Sequence, residues 1–172
     1  MFKIKWNVRT MTRIALLIAA EVVLARVLCY WSPDKSMKIC GEFIAAALGA
    51  YLYGPIGGML IAGLGDFIGA AIVNGVDKYN PAINLTAVVV GLILGLLIYK
   101  NANPIRGIIA ALITQIFFKW ILNTYWLSLW FFKDTGYTAL LFSRTIQTVI
   151  LLVVWIPIIL AIPKIGKRVK ES

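Results

Sequence analysis

The sequence predicts an all-α polytopic membrane protein, a bundle of six transmembrane helices that forms one domain over residues 1–172. First, 61% of the residues are hydrophobic and the mean hydropathy is +0.88, which is too apolar for a soluble domain of this size. Second, the apolar residues form long segments, and none shows the alternating pattern of a barrel strand. Backbone groups in lipid must be satisfied within a segment, so we expect helices.

The apolar segments are separated by motifs that are typical of turns, such as Tyr53-Gly54-Pro55, Asn101-Ala102-Asn103-Pro104 and Lys133-Asp134-Thr135-Gly136. The second segment is short for a full span, so we expect it to be tilted or to borrow loop residues. The six predicted segments are Thr12–Tyr30, Cys40–Tyr53, Pro55–Val73, Pro81–Tyr99, Ile105–Phe132 and Thr138–Ile162.

The distribution of basic residues predicts that both termini are cytoplasmic. With that orientation, ten of the 17 Lys and Arg residues lie on the inside, at the termini and in the loop around Lys100 and Arg106. The outer loops carry four bases that four acids offset. The bases are Lys35, Lys38, Lys78 and Lys133, and the acids are Asp34, Glu42, Asp77 and Asp134. The basic N-terminus precedes an apolar run that charges interrupt, so we interpret it as a retained helix rather than a cleaved signal.

Three basic residues, Arg26, Lys119 and Arg144, lie inside apolar segments. Charge in the hydrocarbon region is costly and usually faces a cavity or a partner, so we interpret the three as a cradle for an anionic small molecule. Snorkelling to the outer interface is an alternative for Arg26 and Arg144. The buried acids are Glu21 and Asp66, and for Asp66 an ion pair between helices is as plausible as ligand contact.

Polar residues from several segments fall in the predicted outer half of the membrane, whereas the inner half is almost purely apolar. This asymmetry predicts a cup that opens outward. On the fifth segment, polar and indole side chains recur every three or four residues and therefore share one helix face, which suits a flat ligand with polar edges. They are Gln115, Lys119, Asn123, Trp126 and Trp130. The predicted binding residues are Arg26, Asp66, Asn84, Gln115, Lys119, Asn123, Trp126, Arg144 and Gln147.

Small residues on the first segment, Ala15 and Ala19, form a patch that permits close helix packing within the bundle or against a partner membrane protein. We interpret three glycine patterns as ordinary packing, namely Gly58-x-x-x-Ala62, Gly65-x-x-x-Gly69 and Gly91-x-x-x-Gly95. Cys29 and Cys40 flank the first outer loop, and their spacing is compatible with a disulfide or with two free thiols.

Several functions lack their usual residues. The chain has no phosphate-binding Gly-rich loop with Lys, no His, and only two Cys, so we expect no metal, no cofactor and no independent use of ATP. The basic residues cluster at segment ends, which does not indicate nucleic-acid binding. These absences disfavour a membrane enzyme.

The stretch Gly54-Pro-Ile-Gly-Gly-Met-Leu-Ile-Ala-Gly-Leu-Gly-Asp66, together with the small-residue first helix, resembles the substrate-binding (S) subunits of energy-coupling factor (ECF) vitamin transporters. Asn123-Thr-Tyr-Trp-Leu-Ser-Leu129, Arg144-Thr-Ile-Gln147 and Arg26 resemble the folate-specific member.

The resemblance implies high-affinity capture of folate outside a prokaryotic plasma membrane. Release inside would follow reorientation with a transmembrane coupling subunit of the EcfT type and two cytoplasmic ATPases. It implies that Ala15 and Ala19 contact the coupling subunit, and that Trp31–Ile39 acts as a lid.

On the folate hypothesis, the three cations would neutralise carboxylates. The residues expected to face the pterin and ring end are Asn84, Gln115, Asn123 and Trp126. Another vitamin, such as pantothenate, biotin, riboflavin or thiamine, and a self-contained anion transporter remain alternatives.

Overall fold

The computed structural model describes residues 6–31, 38–73, 79–100, 103–130 and 137–171. Helices dominate these ranges, as the sequence predicts. Three π-helical segments, Val23–Val27, Gly69–Val73 and Ile113–Leu122, continue or join the α-helices. The α-helices are α1 (Val8–Val22), α2 (Glu42–Ile68), α3 (Pro81–Ile98), α4 (Pro104–Leu112), α5 (Asn123–Trp130) and α6 (Tyr137–Glu171).

Asparagine caps begin three of the helices. The side chain of Asn7 accepts a hydrogen bond from the Val8 amide, and Asn80 and Asn103 accept bonds from amides two residues further on. Pro81 and Pro104 follow two of the caps at the first helical position, where a missing N–H costs nothing. The Asn-Pro turn chemistry of the sequence therefore begins α3 and α4 close to the predicted residues.

Helix α2 contains a sharp reversal at Gly54, where φ is 75° and ψ is −161°. Glycine tolerates this conformation, and Pro55 then begins a new helical arm. Ala45 and Ile61 lie on opposite sides of the break yet pack in one buried cluster, so the two arms fold back against each other. The reversal lies where the sequence predicts the boundary between the second and third segments.

A short β-hairpin is the main departure from the all-α prediction. Strands β1 (Cys29–Trp31) and β2 (Lys38–Cys40) pair antiparallel, with Cys29 opposite Cys40. The predicted first segment therefore stops being helical at Val27, since its last residues enter the strand. The two cysteines form a disulfide, which resolves the alternative that the sequence left open.

The core lies between both arms of α2 and the helices α3, α4 and α6. Phe43 stacks on Trp155 with ring centroids 4.1 Å apart, and Leu94 and Ala111 are fully buried beside them. Glycine permits close backbone contact between α2 and α3, because a Cβ on Gly91 would lie 2.3 Å from the carbonyl oxygen of Gly58. The glycines predicted to serve packing do so at this crossing.

Four helical stretches within the described residues are long and apolar enough to cross a membrane. They are Glu42–Ile72, Pro81–Ile98, Pro104–Trp130 and Leu140–Gly166. The stretch Val8–Val27 is not among them and carries four charged residues. Helix α6 continues to Glu171, beyond the predicted end of the sixth segment. The predicted outer-loop bases Lys35, Lys78 and Lys133, and the turn at 133–136, lie outside the described residues.

Candidate ligand-binding site

The first polar cluster joins the π-helical end of α1 to α2 and α3. The Arg26 guanidinium donates to the Asp66 carboxylate at 2.9 Å and to the Asp66 backbone carbonyl at 3.4 Å. The Asn84 amide donates to the second carboxylate oxygen of Asp66 at 3.4 Å and to the Gly63 carbonyl at 2.8 Å. Asp66 therefore holds two of the predicted site residues, and its pairing with Arg26 joins two helices.

The second cluster is an ion pair between Lys119 and Glu42. Lys119 lies in the π-helical segment Ile113–Leu122, and Glu42 is the first residue of α2. Glu42 is one of the acids that the sequence assigns to the outer loops, and it is not among the predicted binding residues. Its position in the first turn of a long helix, where an acid is favoured, is the signal that could have drawn attention to it.

Arg144 is the third predicted cation, and its surroundings differ from those of the other two. It is 8% exposed, its Nε lies 3.4 Å from the Gln147 amide oxygen and its Nη1 lies 3.3 Å from the Thr124 hydroxyl. Within the described ranges no carboxylate lies within ion-pairing distance of Arg144. The Arg144 charge is therefore available to an anionic group. Thr124, fully buried on α5, was missed as a contact because it is a short neutral residue in an apolar helix.

Glu21 is a further buried acid that faces the same region. It is 5% exposed, and its Oε2 atom has no hydrogen-bond partner among the described residues. Its side chain lies against Gly65, where a Cβ would be 2.3 Å from Glu21 Cγ. One turn further on, Gly69 makes the same room for Arg26. The Gly65-x-x-x-Gly69 pattern, predicted to serve packing, thus accommodates two charged side chains of the first helical segment.

A pocket opens between these groups. Its apolar wall includes Phe43, Val90, Leu94 and Trp155. The charged residues that line it are Glu21, Glu42, Asp66 and Lys119.

Of the predicted binding residues, Asp66 and Lys119 line this pocket. Arg26 and Asn84 are not part of the lining but contact Asp66. Gln115 is 1% exposed within the same π-helical segment as Lys119. The remaining residues follow along α5 and α6.

Asn123 and Trp126 are partly buried on α5, and the Asn123 amide oxygen has no partner in the part of the chain that is described. Arg144 contacts Thr124 of α5, and Gln147 accepts a hydrogen bond from Arg144. Trp130, at the end of α5, is 54% exposed, which is typical of an interfacial aromatic rather than of a pocket residue. The polar residues therefore form two neighbouring groups, one at the pocket and one between α5 and α6.

Two π-helical segments carry three of these residues. Arg26 lies in Val23–Val27, and Gln115 and Lys119 lie in Ile113–Leu122. π-helical turns widen the helix locally and occur often at functional sites. The sequence pattern assumed regular α-helices and did not foresee them.

The two alanines predicted to contact a partner, Ala15 and Ala19, are both exposed on α1. Ile14 and Glu21, on the opposite side of the same helix, are buried against α2. The alanine patch is therefore a surface of the bundle and not part of its interior packing.

Comparison with known proteins identifies the class. A model of the family described as "ECF transporter, substrate-specific component" matches residues 9–166. The chain therefore belongs to the substrate-specific components of ECF transporters, which are membrane transport subunits. No curated protein matches the chain by sequence.

Among solved structures, the chain is similar to FolT bound with folic acid. The TM-score is 0.80, the sequence identity is 26%, and the match covers 94% of this chain and 95% of that one. The S-component for biotin from an ECF-type ABC transporter matches with a TM-score of 0.67 and 16% identity, covering 96% and 92% of the two chains. The second match supports the fold alone.

Proposed function

We propose that this chain is the folate-binding S subunit of an ECF transporter. The observation that carries the proposal is the similarity to FolT bound with folic acid, which exceeds the similarity to the biotin S-component in both TM-score and identity. Arg144 supports it independently, because it is a buried cation with no acid within ion-pairing distance in the described chain. Folate supplies two carboxylates and flat rings for such a site.

In this proposal the chain is one domain of six membrane-crossing helices in a prokaryotic plasma membrane. The first helix and the two arms of α2 would supply three of the crossings, and α3, the stretch Pro104–Trp130 and α6 the others. Both termini would be cytoplasmic, and the pocket would open outward. The division of α2 at Gly54 supports the count, since two antiparallel arms take the place of one long span.

The transport cycle requires partners. The S subunit would capture folate outside, associate with the coupling subunit and two ATPases, and reorient to release its cargo inside. The exposed Ala15 and Ala19 support a docking surface on α1, because small side chains permit close helix approach in the membrane.

The test is a titration of the purified protein in detergent with folic acid, followed by tryptophan fluorescence. Trp126, partly buried on α5, is positioned to report binding. We expect strong quenching with folic acid and no response to pantothenate, riboflavin or biotin. Quenching by one of these other vitamins instead of folic acid would retain the class and replace the substrate. No response to any vitamin would refute vitamin capture.

A further inference from the structure

Among the described residues, the acids that line the pocket outnumber the cations that pair with them. Three carboxyl groups, Glu21, Glu42 and Asp66, line it. Two cations serve them, because Arg26 pairs with Asp66 and Lys119 pairs with Glu42. Glu21 is the carboxyl that remains without an ion-pair partner in the described chain, although it is 5% exposed.

Glu21 does not have the features of a structural acid. One of its oxygens has no hydrogen-bond partner among the described residues, and a buried polar atom left in this way opposes folding. The backbone of Ala46 is the hydrogen-bonding group that faces the carboxyl. An apolar residue would pack against Gly65 without this penalty. A group that enters the pocket can provide the missing donor, since Glu21 is part of the pocket wall.

We propose that Glu21 binds the N–H donor edge of the ligand's heterocycle and thereby selects for a 2-amino-4-oxopyrimidine ring. The inference rests on the proposed function, because folate is the vitamin that supplies this ring. In the pterin of folic acid, the 2-amino N–H and the ring N3–H point the same way. One carboxylate accepts both, as it does from the parallel donors of an arginine.

This chemistry also separates folate from the other vitamins. The two N–H groups of the biotin ureido ring point away from each other, so one carboxylate can accept only one of them. Riboflavin presents a single ring N–H between two carbonyls, and pantothenate has no such ring. A site built to accept hydrogen bonds discriminates strongly against a ligand that lacks the donors, because its buried acceptor stays unpaired.

The geometry also orients the ligand. The heterocycle would lie against the aromatic wall that Phe43 and Trp155 form beside Glu21. The glutamate carboxylates would point towards Arg144, the cation that holds no acid of its own among the described residues. Arg26 and Lys119 would then hold Asp66 and Glu42 in place and not the ligand.

The experiment compares folic acid with an analogue in which a methyl group replaces the 2-amino group. Dissociation constants for both are measured by tryptophan fluorescence on the full chain in detergent. Loss of hydrogen bonds to a buried acceptor predicts that the unaltered protein prefers folic acid by about 10- to 100-fold. Glu21→Gln should bind folic acid more weakly and should lose this preference.

Glu42→Gln is the matched control, because it makes the same change on another acid of the same pocket. It disrupts the pair with Lys119, so the affinities change, but the preference for folic acid over the analogue should remain. If Glu21→Gln yields no folded protein, Gly65→Ala replaces it. The new methyl group displaces the Glu21 carboxyl, and the preference should again be lost.

Two results would overturn the inference while leaving the proposed function intact. One is a Glu21→Gln protein that keeps the full preference for folic acid over the analogue. The other is an unaltered protein that binds folic acid but does not distinguish it from the analogue. An unaltered protein that binds neither compound overturns both the inference and the proposed function.

Discussion

The guanidinium of Arg26 donates a hydrogen bond to the carboxylate of Asp66 at 2.9 Å, and the two side chains are 8% and 20% exposed. They lie 40 residues apart in the chain. The pair fixes the π-helical end of the first helix against the second arm of α2. Removing one partner leaves the other charge buried and unpaired, whereas removing both does not.

We therefore expect Asp66→Asn to lower the free energy of unfolding by about 3–5 kcal/mol. Arg26→Met should lower it by a similar amount, and the double variant should lose less than the sum of the two. Chemical denaturation in detergent measures all three proteins. Strict additivity of the two single losses would contradict an energetic coupling between Arg26 and Asp66.

Arg144 leads to a prediction about ligand charge. Arg144→Ala should weaken folic acid binding by about 10- to 100-fold, because a charge-assisted hydrogen bond to a carboxylate is lost. The dimethyl ester of folic acid, which has almost the same shape without the negative charges, should bind both proteins with similar affinity. Arg106→Ala is the control, since Arg106 is exposed at the start of α4. An equal loss for acid and ester would show that Arg144 serves the fold rather than the carboxylates.

The disulfide gives a prediction about stability. Cys29 and Cys40 join the two strands that lie between Arg26 and Glu42 in the chain. A reductant should lower the free energy of unfolding by about 2–4 kcal/mol, because the cross-link no longer constrains the unfolded chain. The variant with both cysteines changed to serine should have the stability of the reduced protein and should not respond to the reductant. A response in this variant would mean that the reductant acts elsewhere.

The alanine patch gives a prediction that separates binding from transport. Ala15→Trp with Ala19→Trp should leave folic acid binding by the isolated chain unchanged, because both residues are exposed and neither lines the pocket. Co-purification with the coupling subunit, and folate uptake by cells, should be lost. Leu16→Trp is the control on the same helix, since Leu16 is 65% exposed but is not part of the small-residue patch. Uptake that survives in the double variant would remove the patch from the docking surface.

Local patterns were sufficient to predict much of the fold. The helix starts at Pro81 and Pro104 depend on a capping side chain and a proline within two residues, so the sequence contains all the information. The reversal at Gly54-Pro55 is equally local. The β-hairpin was missed because its strands are three residues long, too short for an alternating pattern to be recognised.

The candidate site was less accessible to prediction. Arg26, Lys119 and Arg144 attract attention because charge is rare in apolar segments, and this follows from composition alone. The partners of these cations cannot be recognised in the same way, because they are far away in the sequence. Lys119 and Glu42 are 77 residues apart, and Arg144 and Thr124 are 20 residues apart. Glu21 is recognisable from the sequence as a buried acid. That it has no ion-pair partner among the described residues depends on which acids the other helices bring to Arg26 and Lys119.

The sequence by itself determined that this protein is a helical membrane bundle, where several of its turns lie, and which of its charges fall inside apolar segments. These properties follow from hydropathy and from residues a few positions apart. Only the tertiary structure decided that Asp66 and Glu42 pair with two of the three cations, while Arg144 and Glu21 have no ion-pair partner among the described residues. Ion pairs form between side chains that helix packing brings together, and the periodicity of a single helix contains no information about its neighbours.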